Sequence, residues 1–468
     1  MAEKRVDDGT TDGRTDEHRS TVVDRRTFLG TVGVGTAIGL AGCAGGGDGG
    51  GDGGGPTPTA TATETTTDRD GGDGGDGGDS GPVKVGVLLP FTGEYSWVGA
   101  NVMPVAEMIA RTVNENGGIG SRDLTLVQGD TEATVDASVS AIRNLINVEN
   151  VRGIIGPTSL TFTGVIDVIQ ENQVPVVSPT AGTTELNDVG GEYIFRTVPS
   201  DTLGGRALAK AAREESYNGV RSYERMALMV GEAPALQSFK APIRDSFEEF
   251  GGTVTTVTDF ATGKASYDAE VSSVIDSNPE IVAAIASPED TAKILRAAFN
   301  AGYEGNWFFT QDQTNTEFLA DTDDRLTDGT LGLQEAPNPD AVEAGRIEQF
   351  NREVVDFSGN EPGLFATNTY DAVNVLGAAM TATATGGDRV TGANVAPNVP
   401  AVANPPGTAV TDYPETNSEI ESGNDVDYSG LVGPVDFDEN GDITSPFSIR
   451  RAEGDEWQET AILPAEEL

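Results

Sequence analysis

The chain has 468 residues, a single cysteine, and 75 acidic against 29 basic side chains, for a formal net charge of -46. One cysteine excludes an internal disulfide, and the acidic excess disfavours nucleic acid as a partner because phosphate contacts need a basic face. The acids are spread along the whole chain and most basic residues are arginine, which resembles proteins of extreme halophiles, where molar salt screens the self-repulsion.

The first patterned segment is DRRTFLGTVGVGTAIGLAGC, at residues 24–43. Its apolar part, residues 28–42, is shorter than the roughly 20 residues of a membrane span and fits the core of a signal peptide. Arg25 and Arg26 directly precede Thr-Phe-Leu and resemble a twin-arginine signal, which exports folded cargo. The closing LAGC resembles a lipobox, so Cys43 is the predicted lipidation site; a free cysteine in a core helix is the alternative.

Cleavage before Cys43 would remove residues 1–42 and with them His18, the only histidine. The mature chain would then lack the groups for Ser-His-Asp or Cys-His catalysis and for Cys/His zinc sites. Residues 43–82 carry almost no apolar side chains and are rich in Gly, Asp and Thr. They predict a disordered linker between the lipid anchor and a folded body.

From Val83 onward, short apolar strands alternate with amphipathic helices. The first series has strands VKVGVLL, DLTLVQGD, RGIIG, VPVVS and YIFRTV and predicted helices at 98–116, 135–148, 162–170 and 201–215. The second has strands RMALMV, TVTTVTDF, EIVAAIA and NWFFT and predicted helices at 238–250, 267–276 and 289–300. This alternation predicts an α/β protein of two doubly wound lobes with parallel-type central sheets.

Ligands of such sheets bind beyond the carboxyl ends of the strands. The segments at those ends are PFTGEYSW, GPTSLTFTG, SPTAGTTEL, GEAPALQS, SPED and TQDQT, which are rich in Ser, Thr, Gly and acids. Hydroxyls suit a carboxylate and carboxylates suit an ammonium, so this composition favours a small zwitterion. The same residues are equally typical of helix N-caps, and both interpretations stay open at this point.

The order of these segments resembles the solute-binding proteins of ABC importers, in the leucine/isoleucine/valine (branched-chain amino acid) binding group. The matching stretches include VKVGVLLPFTGEYSWVG, NENGGIGSRDLTLVQGDTEAT, VRGIIGPTSL, VPVVSPTAGTTEL, YIFRTVPSD, NTYDAV and GPVDFDENGD, within residues 83–468. The resemblance implies a type I periplasmic-binding-protein fold with a three-crossover hinge near Pro199, Gln334 and Gly430. Lobe 1 would comprise 83–199 plus 335–429, and lobe 2 would comprise 200–334 plus 430–468.

The resemblance also implies a ligand site between the lobes. Ser159 or Thr161 would meet the ligand carboxylate, and Glu289 the ammonium. The predicted ligand-binding residues, all near strand ends, are Trp97, Ser159, Thr161, Ala181, Thr183, Asp201, Glu289 and Asp312. The chain departs from the family pattern at Gly182, where threonine is usual, and at Ala235, where an aromatic is usual. The predicted ligand is therefore an amino acid, branched-chain or other, or an amide.

Together these features predict an extracellular, lipid-anchored substrate-binding protein of an ABC importer, exported folded and monomeric. It would be no enzyme and would need no cofactor or metal; its partners would be a small-molecule ligand and separate permease and ATPase chains. Two alternatives are a ligand-sensing receptor subunit of the same fold, and a hydrolase that pairs Glu289 with Asp201 or Asp312.

Two further segments fit no motif. DFDENGDITSPF begins like a calcium loop but lacks the final acid, so a hairpin turn at Asn440-Gly441 is predicted instead. Residues 386–427, rich in Gly, Pro and Asn, are predicted to be a partly irregular connection.

Overall fold

The computed structural model describes residues 81–468. The predicted export signal with Arg25 and Arg26, the lipidation site Cys43, and residues 43–80 of the predicted linker lie outside the described residues. Among the helices of residues 81–468, none combines the length and apolar character needed to cross a membrane.

The first series of elements matches the predicted alternation, with boundaries displaced by a few residues. Two short 3-10 helices, Phe162–Val165 and Thr184–Leu186, interrupt it. Its strands and helices are β1 (Val83–Leu89), α1 (Ser96–Glu115), β2 (Leu124–Asp130), α2 (Val135–Asn147), β3 (Ile154–Ile155), α3 (Ile166–Asn172), β4 (Val176–Ser178) and β5 (Ile194–Arg196).

The second series begins directly afterwards. Its elements are α4 (Asp201–Arg213), α5 (Glu215–Asn218), β6 (Arg225–Gly231), α6 (Pro234–Gln237), α7 (Lys240–Glu249), β7 (Thr253–Phe260), α8 (Asp268–Asp276), β8 (Ile281–Ile285), α9 (Pro288–Asn300), β9 (Asn306–Phe309), α10 (Thr316–Asp321), α11 (Asp324–Thr327) and β10 (Leu331–Glu335).

The last part of the chain contributes to both series. Its elements are α12 (Arg346–Ser358), α13 (Ala366–Thr385), α14 (Gly392–Val395), α15 (Asn398–Ala403), β11 (Thr408–Val410), α16 (Tyr413–Glu421), β12 (Val426–Tyr428), β13 (Phe447–Glu453) and β14 (Glu456–Leu463). Residues 386–427 are thus more regular than predicted, because short helices and the parallel β11–β12 pair pack beside α13.

The strands form two separate large sheets. The first has five parallel strands in the order β2-β1-β3-β4-β5. The second has seven strands in the order β14-β13-β10-β9-β8-β6-β7, with β13 antiparallel to both β10 and β14. The predicted α/β fold with parallel-type central sheets is therefore confirmed.

Helices cover both faces of each sheet, because the central strands are apolar on both sides. In β1 every side chain except Lys84 is buried. Val85 and Val87 pack toward α1 and α13, whereas Leu88 packs toward α2 and α3. In the second sheet one face packs on α4 and α7, and the other on α8 and α9.

The last passage between the two cores involves residues 431–447. Leu431, Val432 and Ile443 belong to the core of the first sheet, whereas Phe447 belongs to that of the second. The buried Asp371 of α13 holds Leu431 and Val432 at the first core. Its carboxylate accepts hydrogen bonds from their backbone N–H groups at 2.9 and 2.8 Å. The chain therefore changes cores downstream of the crossover predicted near Gly430.

The stretch 436–442 forms a turn, but it is not the hairpin predicted at Asn440-Gly441. Asp438 accepts hydrogen bonds from the backbone N–H groups of Asn440 and Asp442, and no paired strands flank this turn within the described sheets. A hairpin lies further on, where β13 pairs with β14 across Gly454 in the left-handed region.

Candidate ligand-binding cleft

A cleft lies where the carboxyl ends of strands from both sheets meet. This is the place where open parallel sheets bind ligands. We call its two sides the first-sheet wall and the second-sheet wall. The first-sheet wall consists of Tyr95, Trp97, Val98, Thr158, Ser159, Leu160, Thr180 and Phe365. The second-sheet wall consists of Asp201, Ala235, Leu236, Phe239, Thr310, Gln311 and Asp312.

The first-sheet wall offers hydroxyl groups and aromatic rings. Thr158 and Ser159 lie in the loop after β3, and Thr158 is 4 % exposed with a hydroxyl that has no hydrogen-bond partner. Ser159 accepts a hydrogen bond from the backbone N–H of Thr183 at 3.2 Å, which leaves its own hydroxyl proton available. Trp97, in the first turn of α1, stacks on Phe365 with ring centroids 6.3 Å apart.

The second-sheet wall carries the negative charge. Asp201 is the first residue of α4 and follows the N-cap Ser200, so its carboxylate lies at the positive end of the helix. It is 4 % exposed, and its Oδ2 has no hydrogen-bond partner. Asp312 lies in the 3-10 turn after β9 and is partly buried.

Gly182 makes room for the Asp201 carboxylate. A Cβ placed on Gly182 would come within 2.2 Å of Asp201 Oδ1 and 3.1 Å of the Pro199 carbonyl oxygen. The backbone N–H of Asp201 also donates to the Gly182 carbonyl at 2.6 Å. Threonine is the usual residue at position 182 in the resembled family, and here it would collide with the acid.

Arg196 fixes the loop that contains Gly182. This arginine is 1 % exposed and donates to the carbonyl of Thr183 at 2.9 Å and to Asn187 Oδ1 at 2.7 Å. It also donates to the Ala181 carbonyl at 3.5 Å and makes two hydrogen bonds at 2.5 Å to the Asp442 carboxylate, which holds the 436–442 turn at this loop. Arg196 is therefore a positioning residue behind the cleft, and its charge is already paired.

Burial of three carboxyl groups raises their pKa values around the cleft. Burial raises the pKa of Asp201 to about 7, against the lowering effects of the Ser238 hydroxyl and the Arg196 charge. Burial raises the pKa of Asp312 to about 7 as well. Burial also raises the pKa of Glu335, at the end of β10, to about 7, and the negative charge of Asp312 adds to this.

The structure brings four of the eight predicted ligand-binding residues to the cleft: Trp97, Ser159, Asp201 and Asp312. Three others support its walls from behind. Thr161 is fully buried with an unpartnered hydroxyl, Ala181 packs in the core with α2 and α3, and the Thr183 hydroxyl caps a 3-10 helix.

Glu289 lies outside the cleft, which corrects the prediction that this acid contacts a ligand ammonium. Pro288 starts α9, and Glu289 projects from its first turn with 67 % side-chain exposure, where it pairs with Lys293 at 2.8 Å. Its neighbour Asp290 is the buried acid of the SPED segment, and it accepts a hydrogen bond from the backbone N–H of Gly263.

Several cleft residues were missed by the sequence interpretation. Thr158 directly precedes the predicted Ser159, and Tyr95 lies two residues before the predicted Trp97, so both belong to the strand-end segments GPTSLTFTG and PFTGEYSW. Phe239 directly follows the strand-end segment GEAPALQS. Phe365 follows no strand, and nothing in its local sequence indicates a cleft. Within residues 81–468, no group of three or more His, Cys, Asp or Glu side chains is arranged to hold a metal ion.

Comparison with known proteins agrees with this geometry. A family model described as periplasmic binding protein matches residues 82–456. The chain is 24 % identical over 375 residues to the chemotactic signal transduction system substrate-binding protein BasB of Halobacterium salinarum, covering 76 % of this chain and 83 % of that protein. It is 26 % identical to Leu/Ile/Val-binding protein homolog 3 of Brucella melitensis, with 64 % and 78 % coverage.

Solved structures show the same fold. The leucine binding protein LivK of Thermotoga maritima superposes with a TM-score of 0.69 at 22 % identity, covering 82 % of this chain and all of that one. LivJ of Streptococcus pneumoniae, solved with isoleucine, gives a TM-score of 0.67 at 16 % identity, with 82 % and 99 % coverage.

A benzoate-bound solute-binding protein of an ABC transporter from R. palustris gives a TM-score of 0.66 at 18 % identity, covering 82 % of this chain and 97 % of that one. These relatives are substrate-binding proteins and not enzymes, in agreement with the prediction that this chain does no catalysis. The chain belongs to the periplasmic binding protein family, and it has the type I fold seen in these solved structures.

Proposed function

We propose that this protein captures a small zwitterion, an amino acid or an amide-containing relative of one, in the cleft and delivers it to an ABC importer. One observation carries the proposal: an unpartnered hydroxyl on Thr158 and an unpartnered carboxylate oxygen on Asp201 lie on opposite walls. Buried polar groups without partners are costly, so both are suited to a ligand that supplies the missing hydrogen bonds.

The roles follow from charge. The hydroxyls of Thr158 and Ser159 would donate to a ligand carboxylate, and Asp201 would accept from its ammonium. Trp97 and Phe365 would cover the apolar part. Since the two walls belong to different sheets, a ligand that contacts both stabilises a closed arrangement about the predicted crossovers near Pro199, Gln334 and Gly430.

A thermal-shift screen of the purified chain in molar salt tests this proposal. A ligand at a hundredfold over its dissociation constant adds about 2.7 kcal/mol of stability. We expect a saturable shift with at least one amino acid or amide, and the same shift in Glu289→Gln, because that acid lies outside the cleft. A screen without any shift from these two classes would contradict the proposal, and turnover of the ligand would favour the hydrolase alternative.

A ligand-sensing role is the second candidate, and similarity to a chemotactic signal transduction system substrate-binding protein of Halobacterium salinarum favours it. Deletion of the gene separates the two. Loss of solute uptake with intact movement toward the solute supports the importer, whereas loss of the tactic response with intact uptake supports the sensor. Genes for a permease and ATPases beside this one would also support the importer.

We also propose export through the twin-arginine signal and attachment to the outer face of the membrane through lipid on Cys43. The sequence carries Arg25 and Arg26 before a short apolar run that ends in LAGC. Substitution of Cys43 by serine should release the folded protein into the medium, and substitution of both arginines by lysine should retain it in the cell. A membrane-bound Cys43→Ser protein would contradict the lipid anchor.

A further inference from the structure

The cleft holds more negative charge than a neutral amino acid can balance. Among the described residues that line it, Asp201 and Asp312 are acidic and none is Lys, Arg or His. The nearest buried cation, Arg196, is already paired with Asp442. An α-ammonium on Asp201 would leave the second acid of the wall without a counter-charge.

Asp312 belongs to a different element from the acid that would hold the α-ammonium of a bound amino acid. It enters from the turn after β9, whereas Asp201 enters from the start of α4. Burial raises its pKa, and no hydrogen bond or positive charge of the described residues lowers it. Glu335, on the neighbouring strand β10, is partly buried and adds a third negative group close enough to raise the pKa of Asp201.

Aromatic rings lie in the first-sheet wall, on the other side of the cleft from Asp312. Tyr95, from the first-sheet wall, is near enough for the Asp312 charge to contribute to raising the pKa of its phenol. Trp97 and Phe365 stack beside it in the same wall. Rings of this kind cover the methylene stem of a long cationic side chain and attract its charged head.

We propose that the cleft selects an amino acid whose side chain carries a second positive charge, with the α-ammonium at Asp201 and the side-chain cation at Asp312. This inference rests on the proposed function and names its substrate class. Lysine and arginine have this chemistry, and each has an aliphatic stem for the aromatic wall. A leucine side chain would instead bury Asp312 against apolar atoms, which is unfavourable for a charged or unpaired carboxyl.

Titration calorimetry of the full chain in molar salt tests the selection, with L-lysine, L-arginine, L-glutamine and L-leucine as probes. Partly buried ion pairs are screened less than exposed ones, so the preference should persist at high salt. We expect at least one basic amino acid to bind about tenfold or more tightly than leucine, which corresponds to about 1.4 kcal/mol.

Asp312→Asn is the decisive variant, because it keeps the shape of the side chain and removes the charge. The affinities for lysine and leucine should converge in this variant, whereas Asp323→Asn, an exposed acid of a surface turn, should keep the wild-type ratio. Glu335→Gln is the second variant if Asp312→Asn gives little folded protein, and it should reduce the ratio in the same direction.

The outcomes separate the two proposals. Leucine binding as tight as lysine and arginine binding, or tighter, overturns the selection of a cation and leaves the amino-acid-binding function standing. A full lysine preference in Asp312→Asn and in Glu335→Gln also overturns it. Absence of binding by every amino acid and amide contradicts the proposed function itself.

Discussion

The two walls of the cleft differ in kind. The first-sheet wall is uncharged and offers hydroxyls and rings, whereas the second-sheet wall has the acids Asp201 and Asp312. Neither wall alone can satisfy a zwitterion, because one provides donors for a carboxylate and the other provides acceptors for an ammonium. A ligand would reach full contact only when both walls meet it, so ligand recognition and closure of the cleft would occur together.

Asp201→Asn should have the largest effect on ligand binding, because it removes the negative charge that the second-sheet wall has at the start of α4. Loss of one partner of a buried charge pair costs about 2–5 kcal/mol of binding free energy. The ligand-free variant should nevertheless melt at a higher temperature than the wild type above pH 7, since an unpartnered buried carboxylate is removed. Calorimetry and thermal melting of the same sample measure both effects, and unchanged affinity would contradict the assignment.

Gly182→Ala tests the close contact between Gly182 and the Asp201 carboxylate. Its new Cβ would lie 2.2 Å from Asp201 Oδ1, and overpacking of this kind costs about 1–3 kcal/mol of unfolding free energy. The double variant with Asp201→Ala should recover part of this loss, because the colliding oxygen is absent. Denaturant unfolding of the wild type, both single variants and the double variant measures the coupling; strictly additive losses would refute the steric explanation.

Thr158→Val tests the contribution of the uncharged first-sheet wall to ligand binding. Removal of a hydroxyl that bonds the ligand should weaken binding by about 0.5–1.5 kcal/mol. Thr161→Val is the matched control, because its hydroxyl is also buried and unpartnered but does not line the cleft. Equal effects of the two substitutions on ligand affinity would show that Thr158 has no direct contact with the ligand.

The pH dependence of stability provides the smallest expected effect. Asp201, Asp312 and Glu335 have pKa values raised to about 7, so the folded state binds more protons than the unfolded state between about pH 4 and 7. Stability from these groups is therefore present at low pH and is lost as pH rises through 7.

Asp371 titrates in the same range, since burial raises its pKa to about 7 despite its hydrogen bonds. Removal of one cleft carboxyl in Asp312→Asn should therefore make the loss of stability between pH 5 and 6 shallower by only about 1 kcal/mol. Melting curves of both proteins across this range test the sign, and a steeper loss in the variant would contradict it.

Most of the fold was predictable because its signals are local. The strand TVTTVTDF was predicted at residues 253–260 and is found there as β7, since an apolar or β-branched run between a glycine turn and a helix has few other solutions. Residues 386–427 were less predictable. Their Gly, Pro and Asn content obscures short elements whose order comes from packing beside α13.

The site was predictable only to the level of segments. SPED was correctly marked as a helix start, but the orientation of successive helical residues differs by about 100°, so the local pattern could not decide that Asp290 is buried and Glu289 exposed. Phe365 reaches the cleft from the start of α13, far along the chain from the other rings. Contacts of that range depend on the tertiary fold and leave no local signal.

The close approach of Gly182 to Asp201 has a consequence for how this cleft could have diverged. A side chain at position 182 and an acid of this length at position 201 compete for the same space, so neither position can mutate freely while the other stays as it is. Among descendants of a common ancestor, the two should therefore change as a pair. A lineage that acquires threonine at 182 would have to shorten or redirect residue 201, and would thereby lose the acid proposed to bind the ligand ammonium.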